Sequence, residues 1–468
     1  MIRVARVIPR RLSQRAVRRP PAAPAGGPPR AWPYADAVPA DPPRPRTLRR
    51  VRADAAAVPE LLVALRAALS GAGPALRPAE DGAEDGAGDG AAVGSPDLAE
   101  LAELAELGPE PAEDPTALAV PTSGSTGAGK VALLPASALL ASAAATHDRL
   151  GGPGRWLLAL PPRHVAGLQV LVRSLVSGTT PVVLDLAPGF EPDAFAAAAA
   201  RVSGVRRYTA LVPTQVTRLL AAGGAAAEAL AGFDAVLVGG AATPATLADR
   251  ARAAGVRLVT TYGATETCGG CVYDGVPLDG VSVAVGDDGR LHLGGAVVAR
   301  GYLGAAGGTG DADTDGTGAA PALTERDGVR WVRTDDLGTW DGTRLTVLGR
   351  ADDVVVTGGL KVAPRPVEEA LLRLPGVAEA VVVGVPDDEW GQRVAAAVVL
   401  AAGARPPTLD DARALVRAAV APHAAPRQLA VVPALPLRGP GKPDRAAVAA
   451  LLAATGGSGG PDRPEGAR

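Results

Sequence analysis

Lysine is scarce in this sequence. The 468-residue chain holds 47 lysines and arginines together, yet lysine stands only at Lys130, Lys361 and Lys442. A GC-rich coding bias accounts for the excess of arginine. An ammonium group is a compact point charge, whereas a guanidinium is a wide planar fork, so arginine cannot replace lysine everywhere. We therefore expect the retained lysines to mark positions where the chemistry needs one.

Cysteines, aromatic residues and long apolar runs are also scarce. Two cysteines cannot build a disulfide scaffold, which favours a cytoplasmic enzyme. No apolar run reaches the roughly 18 residues of a membrane-spanning helix, and the Arg- and Pro-rich start lacks the apolar core of a secretory signal. The net charge of −2 argues against a nucleic-acid-binding protein. A hydrophobic content of 47% still allows a sizeable core.

Composition divides the chain into four parts. They are a low-complexity, partly disordered leader (1–115), a large N-terminal domain (116–350), a small C-terminal domain (351–455) and a disordered tail (456–468). Within the leader, helical spacing predicts short helices at 58–69 and 98–107. An acidic, Gly- and Ala-rich linker separates them.

Strand and helix patterns alternate after residue 116 and predict an α/β fold. Near-continuous apolar strands between helices are typical of parallel sheets covered on both faces, and such sheets bind ligands at the carboxyl ends of their strands. Residues 276–349 predict a β-rich subdomain, interrupted by a low-complexity loop at 305–322. The C-terminal part predicts a small α+β domain. The predicted strands of the large domain are 155–161, 181–186, 207–213, 234–240 and 256–263, and its predicted helices are 167–177, 192–201, 214–222 and 243–253.

The stretch TSGSTGAGK at 122–130 has the composition of a phosphate-binding loop. Its glycines let backbone N–H groups approach phosphate oxygens, its hydroxyls add donors, and Lys130 adds a charge. Residues 124–130 also fit the G-x-x-x-x-G-K spacing of a P-loop. That motif needs Ser or Thr next to bind Mg²⁺, and Val131 stands there instead. A P-loop kinase or NTPase is therefore the weaker alternative.

The same stretch resembles the phosphate loop of the adenylate-forming superfamily, which includes acyl-CoA ligases. Gly129 departs from the proline usual before the lysine. The resemblance covers about residues 116–453 and implies ATP, Mg²⁺ and CoA as cofactor and co-substrates. Long members have a larger first subdomain than the leader can supply, so a trimmed N-terminal region is expected. From this loop the resemblance implies ATP-binding residues Thr122, Ser123, Gly124, Ser125, Thr126, Gly127 and Lys130, with Thr126 also at the metal.

Two more stretches resemble nucleotide motifs of the superfamily. From TTYGATET at 260–267, the resemblance implies that Tyr262 stacks on adenine, that Thr265 contacts the α-phosphate and that Glu266 helps to hold Mg²⁺, with Gly263 also at the ATP site. A carboxylate is a hard oxygen ligand suited to that ion. The stretch VGGAA at 238–242 resembles the wall of the adenine and acyl sites. It implies nucleotide contacts from Gly240 and Ala241 and an acyl contact from Gly239.

The motifs RTDDLG (333–338) and GRADDVVVTGGLKVAP (349–364) resemble the ribose site and the interdomain hinge. The resemblance implies that Asp336 and Arg350 contact ribose and that Asp352 is the hinge. Asp335 replaces the usual glycine, and Pro366 replaces an acid further on. The resemblance also places Gly358, Gly359 and Lys361 along the path of CoA.

LPLRGPGKPDR at 435–445 resembles the C-terminal loop that carries the catalytic lysine, Lys442. Two of the three lysines thus fall on lysine positions of the superfamily. The resemblance implies that Lys130 holds pyrophosphate oxygens and that Lys442 bridges the carboxylate and the α-phosphate. Together with Lys442, the predicted catalytic residues are His164 and Arg350.

Residues 154–300 resemble one branch of the superfamily, the o-succinylbenzoate–CoA ligases of menaquinone biosynthesis. The resemblance rests on LALPPRHVAGLQVLVRSL, LVPTQVTRLL and GGCVYDGVPLDGV and implies an aromatic carboxylate as substrate. The predicted polar partners of this acid are His164, Gln169, Thr214 and Gln215, with Arg163 and Tyr208 as further candidates.

Several alternatives stay open at this point. The acid could be another aryl or fatty acid, and the departures at Gly129, Asp335 and Pro366 leave room for a non-catalytic relative. The oligomeric state is not fixed by the sequence, and a homodimer is one option. Cys268 and Cys271 have C-x-x-C spacing but lack the partners of a zinc site. Small-residue packing is the simpler interpretation, and an oxidised bridge that distorts the loop beside Glu266 is a second hypothesis.

Overall fold

The computed structural model describes residues 47–79, 114–122, 130–303, 323–438 and 442–455. The helix predicted at 98–107, the loop predicted at 305–322 and the predicted tail at 456–468 lie outside these residues.

The described residues form strands and helices that we number along the chain. The strands are β1 Leu48–Arg52, β2 Ala75–Ala79, β3 Thr116–Pro121, β4 Val131–Pro135, β5 Arg155–Leu158, β6 Val182–Val183, β7 Arg207–Leu211, β8 Ala235–Val238, β9 Leu258–Ala264, β10 Gly269–Tyr273, β11 Val276–Pro277, β12 Val281–Val285, β13 Arg290–Gly295, β14 Gly301–Tyr302, β15 Leu323–Arg326, β16 Val329–Trp340, β17 Leu345–Arg350, β18 Val355–Thr357, β19 Leu360–Val362, β20 Val377–Asp387, β21 Gly391–Leu400, β22 Gln428–Val431, β23 Leu437–Arg438 and β24 Lys442–Pro443. The helices are α1 Val58–Leu69, α2 Ala136–Arg149, α3 Val165–Val176, α4 Pro192–Ala200, α5 Pro213–Ala222, α6 Gly224–Ala231, α7 Ala245–Ala253, α8 Pro364–Leu371, α9 Leu409–Ala419 and α10 Arg445–Thr455.

The first sheet has the strand order β1-β2-β3-β4-β14, so it includes residues that the sequence analysis assigns to the leader. The helix predicted at 58–69 is α1, and its apolar face recurs every three or four residues through Leu61, Leu65 and Ala68. This face packs in one core cluster with Leu118 and Leu139. Residues 48–79 are therefore built into the large domain.

The second sheet has the order β11-β10-β9-β8-β7-β5-β6, and β6, β5, β7, β8 and β9 run parallel. Strands β5, β7 and β8 are largely buried and apolar, and helices α3 to α7 connect or follow the parallel strands along the chain. The predicted order of strands and helices over 155–263 agrees with the structure, apart from the short α6, which the sequence analysis does not separate from α5. The carboxyl ends of β7, β8 and β9 meet at one edge.

An antiparallel third sheet, β12-β13-β16-β15 with β17 on β16, forms the predicted β-rich subdomain. The fourth sheet, β19-β18-β21-β20 with β22 on β21, carries α8, α9 and α10. Buried residues from Val355 to Leu452 form core clusters of their own. The predicted α/β fold class, with a β-rich subdomain and a small C-terminal α+β unit, is confirmed.

No helix in the described part of the chain combines the length and the apolar character that crossing a bilayer requires.

Candidate active site

The turn after β8 places backbone directly against β9. A Cβ atom at Gly239 would lie 2.4 Å from the Thr261 hydroxyl oxygen, and Gly240 has a φ of +77°. Only glycine adopts that conformation at little cost and allows so close an approach. Gly240 and the following Ala241 are exposed at the carboxyl edge of the parallel sheet. The predicted nucleotide wall therefore lies where parallel sheets bind ligands.

Tyr262 and Asp336 connect the parallel sheet to the antiparallel one. The Tyr262 hydroxyl, on β9, donates a 2.8 Å hydrogen bond to Asp336 Oδ2, on β16. Burial and the negative charge of Asp336 raise the pKa of Tyr262 well above its usual range. Burial also raises the pKa of Asp336, although the Tyr262 hydrogen bond opposes this rise. Two residues predicted to bind adenine and ribose are thus direct neighbours.

Glu266 and Lys130 lie on either side of a tyrosine that the sequence analysis missed. The Tyr302 hydroxyl donates a 3.0 Å hydrogen bond to Glu266 Oε1. The Lys130 ammonium lies 5.7 Å from the centre of the Tyr302 ring, within the range of a cation–π contact. Pairing of β14 with β4 brings Tyr302 opposite Ala132 and so close to Lys130. Burial raises the pKa of Glu266, and burial together with Glu266 raises that of Tyr302.

The base of the predicted phosphate loop is closed by the backbone. The N–H of Thr122 donates a 2.7 Å hydrogen bond to the carbonyl of Lys130. This bond continues the pairing of β3 with β4, so the two ends of the loop are held side by side. The predicted ligands Ser123, Gly124, Ser125, Thr126 and Gly127 lie outside the described residues.

A short 3₁₀ turn holds Thr265 and Glu266 between β9 and β10. The Thr267 hydroxyl accepts a 2.9 Å hydrogen bond from Ala264 N–H and lies 2.8 Å from the Gly269 carbonyl oxygen. A Cβ atom at Gly263 would lie 2.2 Å from that same carbonyl oxygen. Gly263 is therefore required by the close approach of the two strands. Thr267 was not predicted, although it lies within the quoted motif.

Arg350 is bound by two aspartates. Its Nε and Nη2 atoms donate hydrogen bonds of 2.9 and 3.0 Å to the two carboxylate oxygens of Asp352. Its Nη2 also lies 3.5 Å from Asp335 Oδ2. In the antiparallel pairing of β16 with β17, Arg350 stands opposite Asp336. The structure thus brings the predicted ribose residues together next to the predicted hinge.

The predicted acyl-binding residues divide into two groups. Gln169, on α3, is buried with 1% exposure, and neither end of its amide has a hydrogen-bond partner among the described residues. It lies against Gly269, where a Cβ atom would be 3.6 Å from Gln169 Cγ. His164 is exposed just before α3, and Thr214 is exposed in the first turn of α5. These residues surround the carboxyl edge of the parallel sheet.

Gln215 and Tyr208 instead have structural partners. The Gln215 amide accepts from Val212 N–H at 2.9 Å and donates to the Ala159 carbonyl at 3.0 Å. Tyr208 is fully buried and donates to the carbonyls of Leu150 and Gly152. It lies near the start of β7, away from the carboxyl edge. Tyr208 is therefore a core residue. It was a candidate for the acyl site because the sequence does not reveal which end of the strand it occupies.

The hinge and C-terminal residues are described in part. Gly358 has a φ of +56°, and a Cβ atom there would lie 2.6 Å from the Trp390 ring. Gly359 has a φ of +78°, and Lys361 is exposed on β19. Pairing of β23 with β24 places the backbone of Lys442 opposite Arg438. The side chain of Lys442 lies outside the described part of the structure.

Cys268 and Cys271 are free thiols, and both are fully buried. They belong to two different core clusters. Burial raises the pKa of both thiols, to about 12 for Cys271. Because the thiolate is the reactive form, this environment favours packing over redox chemistry, and the bridge stays a hypothesis.

The family comparison identifies the family to which the chain belongs. A model described as "AMP-binding enzyme" matches residues 55–303, more than half of the chain. A second model, of the AMP-binding enzyme C-terminal domain, matches residues 366–442. This chain belongs to the AMP-binding enzyme family. The resemblance predicted from the motifs is confirmed, and α1 and β2 fall within the matched domain of this AMP-binding enzyme.

Among proteins similar to this AMP-binding enzyme is a "Probable 2-succinylbenzoate–CoA ligase" of Mycobacterium tuberculosis. It is 49% identical over 342 residues, which cover 72% of this chain and 85% of the relative. A solved structure of o-succinylbenzoate CoA synthetase from Bacillus subtilis, with its acyl-adenylate intermediate, has a TM-score of 0.58 and 26% identity, covering 74% of this chain and 73% of that one. The same Bacillus subtilis synthetase with ATP and a magnesium ion has a TM-score of 0.57 and 27% identity, covering 71% and 70%.

Proposed function

We propose that this AMP-binding enzyme is an ATP-dependent, AMP-forming ligase that joins 2-succinylbenzoate to CoA in menaquinone biosynthesis. The names and complexes of its relatives support this activity and its cofactors. A cytoplasmic location is part of the proposal, and a homodimer stays a prediction.

Two contacts between predicted nucleotide-binding groups carry the proposal. Tyr262 and Asp336 are joined by a hydrogen bond, and Glu266 and Lys130 share Tyr302. A nucleoside triphosphate needs an aromatic and polar site for its nucleoside and a cation for its phosphates. The two pairs offer both kinds of group, on segments that are far apart in the chain.

The chemistry has two steps. In the first, a carboxylate oxygen of the acid attacks the α-phosphorus of ATP, and the bond to the β-phosphate breaks to release pyrophosphate. In the second, the thiolate sulfur of CoA attacks the acyl carbon, and the bond to AMP breaks. Lys130 binds the departing phosphates and Lys442 binds the α-phosphate and the acid in the first step. Fixed positive charge where negative charge develops lowers the barrier.

Magnesium fits the donor set of this site. Glu266 is a buried carboxylate whose second oxygen is not engaged by Tyr302, and Mg²⁺ is commonly held by one or two carboxylates together with substrate phosphates. Glu266, with Thr126, would hold the ion. When bound, it supplies charge neutralisation for the phosphates.

We further propose that the C-terminal domain begins after Arg350 and turns about Asp352 between the two steps. The separate core clusters beyond Val355 support such a boundary. The turn removes Lys442 and opens a path for CoA along Gly358, Gly359 and Lys361. One chain can then present different groups to the two steps.

On the acyl side, Gln169 is the strongest candidate for a polar contact. A buried amide without partners costs free energy, so a substrate group that satisfies it recovers that cost. The keto group and second carboxylate of 2-succinylbenzoate are such groups. His164, Thr214 and Gly239 complete the proposed acyl site. Gln215 supports the site by its hydrogen bonds to the backbone of neighbouring segments.

A panel of acids with ATP, Mg²⁺ and CoA tests the substrate. We expect 2-succinylbenzoate to give AMP, pyrophosphate and a CoA thioester, with a kcat/KM well above that of benzoate or a fatty acid. A better aryl or fatty acid would replace this substrate but keep the reaction. Release of ADP or phosphate would point to a P-loop enzyme, and no reaction with any acid would point to a non-catalytic relative.

A further inference from the structure

Four charged side chains form a network at the edge of the proposed ribose site. A guanidinium nitrogen of Arg290, on β13, pairs with Asp335 Oδ1, and Arg350 Nη2 lies 3.5 Å from Asp335 Oδ2. Arg350 also binds Asp352 through two N–H groups. Each oxygen of the Asp335 carboxylate therefore faces a different arginine.

Asp335 stands where the motif that it resembles has glycine. A glycine would leave Arg350 with Asp352 as its carboxylate partner in this network. The added charge has a local cost, because Asp335 lies beside Asp336 and makes the negative forms of Asp336 and Glu266 less favourable. Arg290 offsets this charge directly. Asp335 and Arg290 thus enter the site as a neutral pair.

The network spans the boundary between the fixed domain and the proposed hinge. Ala351 N–H donates a 2.8 Å hydrogen bond to the Asp335 carbonyl, and Arg350 stands opposite Asp336 in the strand pairing. Asp335 belongs to β16 of the large domain. Asp352, in contrast, is the residue about which the C-terminal domain is proposed to turn. Arg350 is bound from both sides of the boundary.

We propose that Asp335 is a positioning residue that retains Arg350 beside Asp336 when Asp352 turns away with the hinge. The inference rests on the proposed function. Turning the hinge separates Arg350 from Asp352, and a bidentate arginine–carboxylate pair is a strong charge-assisted contact. A second carboxylate already within reach lets the guanidinium exchange partners and remain in place. Without Asp335, the conformation with the Arg350–Asp352 pair is favoured over the turned conformation.

The two half-reactions, measured separately, test this role. One assay follows pyrophosphate release from ATP and 2-succinylbenzoate without CoA. The other follows thioester formation from supplied 2-succinylbenzoyl-AMP and CoA. We expect Asp335→Asn to slow thioester formation at least about tenfold more than pyrophosphate release, because it disfavours the turned conformation. This difference corresponds to about 1.4 kcal/mol of differential stabilisation. Asp335→Glu, which keeps the carboxylate, should restore much of the slower step.

A matched control is available at Asp288. This aspartate also pairs with Arg290, at 3.3 Å, and has no ion pair with Arg350. We expect Asp288→Asn to leave the ratio of the two half-reactions unchanged. Asp335→Asn combined with Asp352→Asn should be non-additive, because both carboxylates act on one guanidinium.

The outcomes are distinguishable. Equal loss of both half-reactions in Asp335→Asn, or loss of neither, would overturn the positioning role while leaving the proposed function intact. Thermal unfolding checks that Asp335→Asn is folded. An unchanged ratio of the two half-reaction rates in the folded variant counts against the positioning role in the same way. A wild-type chain that carries out neither half-reaction with any acid would reject the proposed function, and this inference with it.

Discussion

At the scale of single residues, the site consists of polar groups whose partners are far away in the sequence. Tyr262 is bonded to Asp336, and Glu266 to Tyr302. The sequence motifs predicted three of these four residues. Tyr302 was missed because it lies in a two-residue strand outside any quoted motif. The chain has only five tyrosines. Each tyrosine next to a glycine could therefore have been considered as a candidate residue of the nucleotide site.

Gln169 gives a prediction that separates binding from stability. We expect Gln169→Leu to leave the free energy of unfolding unchanged or slightly higher, because it removes a buried amide with no partner among the described residues. The KM for 2-succinylbenzoate should rise about tenfold, the equivalent of about 1.4 kcal/mol of lost binding, with little change in the KM for ATP. Steady-state kinetics and urea unfolding measure both.

The matched control is Gln215→Leu. Both ends of the Gln215 amide are bonded to backbone, so this change strands a buried N–H and a buried carbonyl. We expect it to lower the free energy of unfolding by about 1–3 kcal/mol. If Gln169→Leu destabilised the protein as much as Gln215→Leu and left KM unchanged, Gln169 would be a core residue and not a substrate contact.

Glu266 gives a prediction about pH. Burial raises its pKa, and the Tyr302 hydrogen bond opposes the rise because it favours the carboxylate. Protonated Glu266 cannot bind Mg²⁺, so activity at limiting Mg²⁺ should fall as the pH falls through this raised pKa. Tyr302→Phe removes the opposing bond, which should move the fall to higher pH. The pH profile of kcat/KM for Mg²⁺ measures the shift.

Tyr208→Phe is the control for this profile, because its hydroxyl bonds only to backbone carbonyls at the other end of the sheet. Its acid limb should coincide with that of the wild type. An acid limb that moves to lower pH in Tyr302→Phe would show that the hydroxyl does not stabilise the Glu266 carboxylate.

At the scale of strands and helices, patterning was informative where apolar strands alternate with helices along the chain. The parallel strands from β5 to β9 and the helices between them were predicted within a few residues. The first sheet was not, because β1 (LRRVR) and β2 (ALRPA) are not continuously apolar and lie beside low-complexity segments that the sequence analysis assigned to a leader. Its burial depends on Leu118 and Leu139, which are distant in sequence. Tertiary packing, not local propensity, decides such elements.

Strand packing at the nucleotide motif can be tested at Gly263. A Cβ atom there would lie 2.2 Å from the Gly269 carbonyl oxygen, so Gly263→Ala must push β9 and β10 apart. We expect a loss of about 1–3 kcal/mol in the free energy of unfolding. Gly301→Ala is the control, since a Cβ atom there meets nothing within 4 Å. Equal stability of the two variants, measured by urea unfolding, would contradict this strand contact.

At the scale of the whole molecule, we propose that two domains with separate core clusters are joined by one hinge segment. The fixed domain supplies the nucleotide groups, and the C-terminal domain carries Lys442 on a hairpin. The predicted phosphate loop and the hairpin each keep one of the three lysines of a chain whose other basic residues are arginines. Sequence spacing cannot give the distance between Lys130 and Lys442 in a reacting complex, because that distance depends on the proposed rotation of the C-terminal domain.

The most direct measurement of the central claim compares wild type with Lys442→Ala in the two half-reactions. We predict that the wild type forms AMP and pyrophosphate in equal amounts from ATP and 2-succinylbenzoate in the presence of CoA. Lys442→Ala should slow pyrophosphate release by on the order of 100-fold or more while thioester formation from supplied 2-succinylbenzoyl-AMP continues. No AMP from the wild type with any carboxylic acid, or equal loss of both half-reactions in Lys442→Ala, would contradict the account.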